Sequence, residues 1–321
     1  MLIQFEELAA EGELPQAKDY LVYPWLNAGR FTLIVGPTNV GKTTLTMEII
    51  AACLKGEHLF GRYPVKKIDK IAYIHGEHTI EAVKEIAVIR GDIPPDHAKI
   101  AHGSHKFIVN GEATPEFNCI ASMIVEMKPQ LIVVEPISAF VEITEDNNLT
   151  ARRLVSFFCE LGEKLNAAIL AHHHVGKSFH DKERPKDLTL PTGIARGAQA
   201  WEDSAETVIY LARGTDVADE ESGAFNARVK ITTPKTKGYQ IDPITVALDH
   251  DTLKFKALTL PAEGADLVAV YNRRRNNPDE SIRDLYEHYK KLNKKGSTYV
   301  STLIKRAKRV GLLDADGKAI L

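Results

Sequence analysis

The strongest constraint on this chain is the stretch GPTNVGKT at 36–43, which matches the spacing G-x-x-x-x-G-K-[ST]. It follows the apolar run FTLIV and precedes a helical pattern, which is the strand–loop–helix context that the motif requires. Glycines let backbone N–H groups curve around phosphate oxygens, while Lys42 reaches the β and γ phosphates and Thr43 holds Mg²⁺. We therefore predict a site for ATP and Mg²⁺ formed by Gly36, Pro37, Thr38, Asn39, Val40, Gly41, Lys42, Thr43 and Thr44.

The pattern around this loop predicts an α/β fold. Short apolar runs rich in β-branched residues alternate with helical patterns, as in βαβ units on a parallel sheet. The predicted strands are 31–35, 70–75, 131–134 and 167–171, and the predicted helices lie near 42–55, 79–90, 115–127 and 150–165. Strands predicted at 207–212, 225–232 and 244–248 have no long helices between them, which indicates antiparallel hairpins at one edge of the sheet.

Composition excludes several classes of protein. No apolar run approaches the roughly 20 residues that span a bilayer, and the acidic N-terminus lacks the basic start of a signal peptide. We expect a cytoplasmic protein with no membrane partner. The cysteines, Cys53, Cys119 and Cys159, are odd in number and far apart, so we interpret them as buried packing residues.

Two acidic residues end predicted strands. Glu77 in AYIHGEHT is a candidate to orient an attacking water, and a surface loop acid is the alternative. A P-loop followed by a strand that ends in a glutamate and a histidine resembles the RecA-type ATPase superfamily, in which this glutamate is the catalytic base. Glu135 in PQLIVVEPISAF resembles the Walker B acid that contacts the Mg²⁺ shell. The family usually has Asp there, and Glu is one methylene longer.

The run AHHHVGKS at 171–178 contains His172, His173 and His174. Ala171 replaces the first glycine of a phosphate loop, and neighbouring strand residues point to opposite faces, so neither a second nucleotide site nor a three-histidine metal site is favoured. This strand end resembles that of the small RepA-type hexameric replicative helicases of plasmids and phages. That resemblance implies that the histidines sense the γ-phosphate; a solvated histidine tract is the alternative.

The resemblance also implies contacts with DNA and with other subunits. The long polar segment after the histidines would face a central channel for single-stranded DNA, with contacts from Lys177, Lys182, Arg184, Lys186 and Arg196. Lys235 and Lys237 in TPKTKG would reach the neighbouring subunit's γ-phosphate, which implies a homo-oligomer, a hexamer in this family. A solvated loop and ordinary surface lysines are the alternatives.

The C-terminus is basic, since residues 271–321 hold 13 Lys+Arg against 6 Asp+Glu. Two helical patterns, SIRDLYEHYKKL at 281–292 and STYVSTLIKRAKRVG at 297–311, each carry one apolar stripe, which includes Leu285 in the first and Ile304 in the second, and DADG could form a hairpin wing. The segment resembles a winged helix-turn-helix that binds duplex DNA, although docking on an acidic partner is an alternative. The exposed face of the second helix carries Thr302, Lys305, Arg306, Lys308 and Arg309.

Together these features predict an α/β fold, a RecA-like P-loop NTPase core with a mostly parallel sheet and antiparallel edge strands, plus a small C-terminal winged helix-turn-helix. The expected divisions are an N-terminal segment at 1–25, the ATPase domain at 26–258, a linker at 259–266 and the DNA-binding domain at 267–321. The expected function is that of a RepA-like hexameric replicative helicase of a mobile element. A KaiC- or RadA-like ATPase without unwinding activity and an ATP-gated DNA-binding regulator are the alternatives.

Overall fold

The computed structural model describes residues 20–259 apart from 77–79, 95–96, 104–105, 111, 142–146, 176–198, 214–216, 219–224 and 237–240. Beyond 269 it describes only 270, 273–274, 277, 280–281, 283–285, 287–288, 301, 304–305, 308 and 313. The chain separates into two compact units, one formed by residues 21–264 and the other by residues 1–20 with 265–321.

Two short strand pairs lie apart from the main sheet of the larger unit. The first joins β1 Tyr20–Val22 with β2 Leu26–Asn27, and the second joins β6 Ile108–Val109 with β7 Glu112–Ala113. The strands of the main sheet are β3 Phe31–Gly36, β4 Ile71–His75, β5 Ala98–His102, β8 Leu131–Glu135, β9 Ala168–His174, β10 Thr207–Arg213, β11 Val217–Ala218, β12 Phe225–Lys235, β13 Ile241–Asp249 and β14 Lys254–Thr259.

The main sheet is mostly parallel. Its strand order is β14-β13-β12-β10-β3-β9-β8-β4-β5, and β11 pairs with β12. The strands from β10 to β5 run parallel, and β12, β13 and β14 extend the sheet antiparallel beyond β10. The helices of the unit are α1 Lys42–Lys55, α2 Ile80–Arg90, α3 Pro115–Met127, α4 Asn147–Leu165 and α5 Ala200–Ser204, with a 3₁₀ turn at Ile137–Phe140.

The sheet has a hydrophobic core on each face because alternate strand residues point in opposite directions. One core packs side chains of α1, such as Leu45 and Ile49, against Tyr73 and Leu170. The other packs α3, α4 and α5 against strand residues that point the opposite way. Strands covered on both faces read as continuous apolar runs, which is why β3, β8 and β9 are recognisable in the sequence.

The predicted α/β fold with its mostly parallel sheet and antiparallel edge is confirmed. The predicted N-terminus of α3 is confirmed as well, since Thr114 Oγ1 accepts a hydrogen bond of 3.2 Å from the Phe117 amide and Pro115 opens the helix. Three strands of the main sheet, β5, β11 and β14, have no counterpart in the sequence prediction. The interpretation of the cysteines is wrong for Cys119, which is exposed on α3, whereas Cys53 is buried.

The smaller unit is described at scattered positions. Ser281 precedes the helical residues 283–285, and its Oγ accepts a hydrogen bond of 3.1 Å from the Asp284 amide. Leu285 and Ile304, which belong to the two predicted apolar stripes, are buried, and Lys305 is exposed. The winged helix-turn-helix stays a prediction. In the part of the chain that the structure describes, no helix is both long and apolar enough to cross a membrane.

Candidate nucleotide site at the carboxyl edge of the sheet

The loop that joins β3 to α1 lies at the carboxyl edge of the sheet. Lys42 is buried, and its Nζ donates hydrogen bonds to the carbonyl oxygens of Gly36 at 3.0 Å and Pro37 at 2.8 Å. Gly41 has φ +96°, and a Cβ there would lie 2.6 Å from Cζ of Phe255. Only glycine fits this position without strain, and the loop thereby brings its backbone amides to the start of α1.

Glu135 ends β8 directly beside this loop. Its Oε1 accepts a hydrogen bond from the Thr43 hydroxyl, and its Oε2 accepts one from the Tyr73 hydroxyl. His172 Nδ1 lies 2.9 Å from Oε1 of Glu135. The carboxylate is therefore surrounded by polar groups from α1 and from β4 and β9, the two strands that pair with β8.

These neighbours decide the charge of the carboxyl group. Burial by itself raises the pKa of Glu135, but the adjacent His172 imidazole and the hydroxyls of Thr43 and Tyr73 outweigh burial and lower the pKa to about 2. Glu135 is therefore an anion throughout the physiological pH range.

The three consecutive histidines of β9 contact different surroundings. His172 is fully buried, and its Nε2 lies 2.5 Å from the Thr46 hydroxyl of α1. His174 points to the same face, and its Nδ1 lies 3.4 Å from Lys42 Nζ. His173 points to the other face, where its ring packs against Trp201 of α5 at a centroid distance of 5.5 Å. The structure therefore brings the ring of His174 to the lysine of the phosphate loop.

The backbone after β4 is fixed at this same edge. The Gly76 amide donates to the Glu135 carbonyl at 2.8 Å. A Cβ on Gly76 would lie 2.7 Å from Ala139 Cβ and from Phe140 Cζ, so the 3₁₀ turn leaves room only for glycine. Glu77, the predicted base, lies outside the described residues and directly follows this fixed position.

A buried network of ion pairs and hydrogen bonds joins α1, α2 and β14 next to the phosphate loop. Arg90, at the end of α2, donates to Glu48 of α1 at 2.7 Å, to the Leu253 carbonyl at 2.9 Å and to Asp92 at 3.1 Å. Glu48 also accepts from the Phe255 amide at 2.7 Å. This network holds β14, whose Phe255 ring packs at the phosphate loop, against the helix that follows that loop.

The loop, Glu135 and His174 line a cavity of about 250 Å³. Ile86 of α2 and Leu248 of β13 also line it, although nothing in the sequence marks them as site residues. Their apolar side chains are suited to packing against a nucleotide base.

The donor set fits the predicted cofactors. Hydroxyl and carboxylate oxygens are the ligands that Mg²⁺ prefers, and Thr43 and Glu135 supply one of each within hydrogen-bond contact. Lys42 and the start of α1 supply the positive charge and N–H groups for phosphates. Lys42, Thr43, Glu135 and His174 thus meet at one cavity.

Most of the other predicted contacts fall outside the described residues. These are Lys177, Lys182, Arg184, Lys186, Arg196, Lys237, Thr302, Arg306 and Arg309. Lys235 ends β12, the strand next to β10, and only its backbone is described.

Comparison with known proteins agrees with this geometry. A family model described as AAA domain matches residues 3–179, which is more than half of the chain. The chain belongs to this AAA domain family. It is a RecA-type P-loop ATPase by family, motif and sheet order. No curated protein sequence matches the chain.

Two solved structures are similar to this AAA domain protein. One, described as an ATPase domain, has 12% sequence identity and a TM-score of 0.54, and the match covers 72% of this chain and 85% of that one. The other, a KaiC-like protein from the archaeon Pyrococcus horikoshii OT3, has 12% identity and a TM-score of 0.49, with 74% of this chain and 94% of that one covered. At this identity the first similarity supports the shared fold.

Proposed function

We propose that this chain is an ATP-hydrolysing DNA motor of the RepA-like hexameric replicative helicase type. The observation that carries the proposal is the convergence of Lys42, Thr43 and the ionised Glu135 at one cavity on the carboxyl edge of the sheet. Residues that bind phosphate and metal occur in many nucleotide-dependent enzymes, so they do not by themselves specify a motor. The choice of a motor follows from the sequence resemblance and from the histidines that end the strand between β3 and β8.

Each residue at the cavity has a separate task in this proposal. Lys42 and the backbone amides of the loop bind the β and γ phosphates, and Thr43 with Glu135 holds Mg²⁺. A bound Mg²⁺ neutralises charge on the phosphate oxygens. Glu77 takes a proton from the attacking water, as the resemblance implies, and the residue before it, Gly76, donates a hydrogen bond to the carbonyl of Glu135 at the same edge of the sheet.

His174 is the proposed sensor of the γ-phosphate because its ring nitrogen lies beside Lys42. His173 reaches the opposite face and packs on Trp201 in the helix that follows the proposed DNA loop. A movement of the end of β9 would therefore change the contact of His174 with Lys42 on one face of the sheet and that of His173 with Trp201 on the other. This arrangement supports coupling between nucleotide and DNA.

The DNA and subunit contacts complete the proposal. Single-stranded DNA would contact Lys177, Lys182, Arg184, Lys186 and Arg196, and duplex DNA would contact the C-terminal unit through Thr302, Lys305, Arg306, Lys308 and Arg309. Lys235 and Lys237 would act on the nucleotide of a neighbouring subunit in the homo-oligomer.

The test is the rate of phosphate release with and without single-stranded DNA. We expect DNA to stimulate the wild type several-fold, and we expect Glu77→Gln to lower the rate by about 10²-fold or more, since a general base contributes that much. Glu81→Gln is the matched control, because Glu81 is an exposed glutamate on α2. An unchanged rate in Glu77→Gln would refute its role as the base.

A strand-displacement assay separates the proposed helicase from its alternatives. Displacement of a labelled strand that requires ATP supports the helicase. Turnover stimulated by DNA without displacement would replace it with an ATPase that only assembles on DNA. Tight duplex binding with negligible turnover would replace it with a regulator.

A further inference from the structure

The carboxylate of Glu135 is held at both oxygens. Oε1 receives the Thr43 hydroxyl, and Oε2 receives the Tyr73 hydroxyl from the neighbouring strand β4. A glutamate side chain has one more rotatable bond than an aspartate, so it occupies a single position only if other groups hold it there. Thr43 belongs to the phosphate loop itself. The other groups belong to the sheet and to α1.

Tyr73 reaches Glu135 because of its place in the sheet. In the parallel pairing of β4 with β8, His75 lies opposite Glu135, so Tyr73 lies two residues back along β4 on the same face. The Tyr73 side chain is 2% exposed, and its ring belongs to the core beneath α1. Its hydroxyl therefore reaches the carboxylate from inside the protein.

A second support comes through His172. This imidazole is 0% exposed and lies between Glu135 Oε1, 2.9 Å from Nδ1, and Thr46 Oγ1, 2.5 Å from Nε2. Thr46 lies one turn after Thr43 on α1, so the helix that carries the metal-binding hydroxyl also fixes the histidine. The Thr46 hydroxyl therefore holds the ring at Nε2, while Nδ1 packs closely against the carboxylate without hydrogen-bond geometry.

We propose that Tyr73 and the Thr46–His172 pair are positioning residues for Glu135, which they hold in the orientation that binds the Mg²⁺ of the nucleotide complex. This proposal rests on the proposed nucleotide and metal binding at the site. It does not depend on DNA or on unwinding. Neither Tyr73 nor Thr46 belongs to the phosphate-loop motif or to the acidic strand ends. Hydrogen-bond partners behind a metal ligand typically change metal affinity by about 10- to 100-fold when they are removed.

The test measures binding of a fluorescent, non-hydrolysable ATP analogue as Mg²⁺ is titrated. We expect Tyr73→Phe to raise the Mg²⁺ concentration for half-maximal binding about tenfold. Binding of the same analogue in EDTA should stay within about threefold of wild type, because Lys42 and the loop amides are untouched. Thr46→Val should give a smaller shift in the same direction, which provides a second variant in case Tyr73→Phe folds poorly.

Tyr210→Phe is the matched control. Tyr210 is also buried and its hydroxyl donates to a glutamate, Glu202, at 2.5 Å, but that pair belongs to the core on the opposite face of the sheet. We expect this variant to leave the Mg²⁺ requirement unchanged. A shift equal to that of Tyr73→Phe would overturn the proposal, because general loss of stability would then explain both.

A double-mutant cycle tests the contact itself. Glu135→Asp shortens the side chain by one methylene and withdraws the carboxylate from the Tyr73 hydroxyl. In that background Tyr73→Phe should change the Mg²⁺ requirement by less than about threefold, and an undiminished tenfold effect would contradict the proposal.

If the wild type binds the analogue with no dependence on Mg²⁺, the proposed site fails as a whole. If binding of the analogue to the wild type depends on Mg²⁺ and Tyr73→Phe has the same Mg²⁺ requirement, only the positioning role fails.

Discussion

Two buried tyrosines of this sheet donate hydrogen bonds to buried glutamates, one on each face of the sheet. Tyr73 donates to Glu135 on the face covered by α1, and Tyr210 donates to Glu202 on the face covered by α3, α4 and α5. Locally the two pairs have the same chemistry. Around Glu135, however, the phosphate-loop hydroxyl of Thr43 also donates to the carboxylate, and the cavity opens beside it.

Position in the fold, and not the residue pair, therefore distinguishes Glu135, which we propose binds Mg²⁺, from Glu202. Glu135 ends β8 at the carboxyl edge, where the loops of a parallel sheet leave a crevice for ligands. Glu202 lies on a helix that packs over the sheet. Removing either carboxylate leaves a buried tyrosine without this acceptor, but only Glu135 lies where a nucleotide would bind.

Turnover should separate the two glutamates most strongly. We expect Glu135→Gln to lower the rate of ATP hydrolysis by about 100-fold or more, because the neutral amide cannot replace a carboxylate beside Mg²⁺. Glu202→Gln should remain within about threefold of wild type. Steady-state phosphate release, with thermal melting to confirm folding, measures both. Equal losses of hydrolysis rate in the two variants would contradict the distinction between Glu135 and Glu202.

The pH dependence of stability should show a more moderate effect at Glu135. The ordinary pKa of a glutamate is 4.5 and that of Glu135 is lowered to about 2, so its ionisation stabilises the fold above pH 4.5 and this contribution is lost as the pH falls towards 2. Relative to Glu135→Gln, the wild type should therefore lose on the order of 3 kcal/mol of unfolding free energy across that window. Urea unfolding of both proteins at successive pH values measures the gap. A gap that does not narrow below pH 4.5 contradicts the lowered pKa.

The stability of the two tyrosine variants should differ least. Tyr73→Phe and Tyr210→Phe each remove a donor from a buried carboxylate, so each should lower the unfolding free energy by about 1–3 kcal/mol. Urea unfolding at pH 7 compares the variants. A much larger loss for one would show that the two pairs already differ in their contribution to folding, so that their local chemistry is not equivalent.

The sequence predicts the parallel core well because strands buried on both faces are continuous apolar runs. It fails at β5, AKIAH, and β14, KFKALT, where lysines interrupt the apolar pattern. Such strands at the ends of a sheet are partly exposed, so only pairing with β4 and β13 identifies them.

The site shows the same division. Lys42 and Thr43 are predictable because the spacing of the phosphate-loop motif follows from phosphate chemistry, and Glu135 is predictable because it ends an apolar strand that resembles Walker B. Alternation along a strand indicates that neighbouring histidines point to opposite faces of the sheet, but it does not show which of the three contacts Lys42. Tyr73 is not predictable, because a tyrosine inside an apolar strand reads as packing and its partner depends on the register of β4 with β8.

Every role assigned to the site requires that the loop at 36–43 binds a nucleoside triphosphate with Mg²⁺, which isothermal titration with a non-hydrolysable ATP analogue measures. Mg²⁺ should tighten binding by the wild type relative to binding in EDTA, and Lys42→Ala should weaken binding by about 100-fold or more, since a charge-assisted contact to phosphate is lost. Lys84→Ala, which removes the same charge from the exposed face of α2, should bind as wild type does. Absence of binding by the folded wild type, or equal binding by Lys42→Ala, would contradict nucleotide binding at this loop.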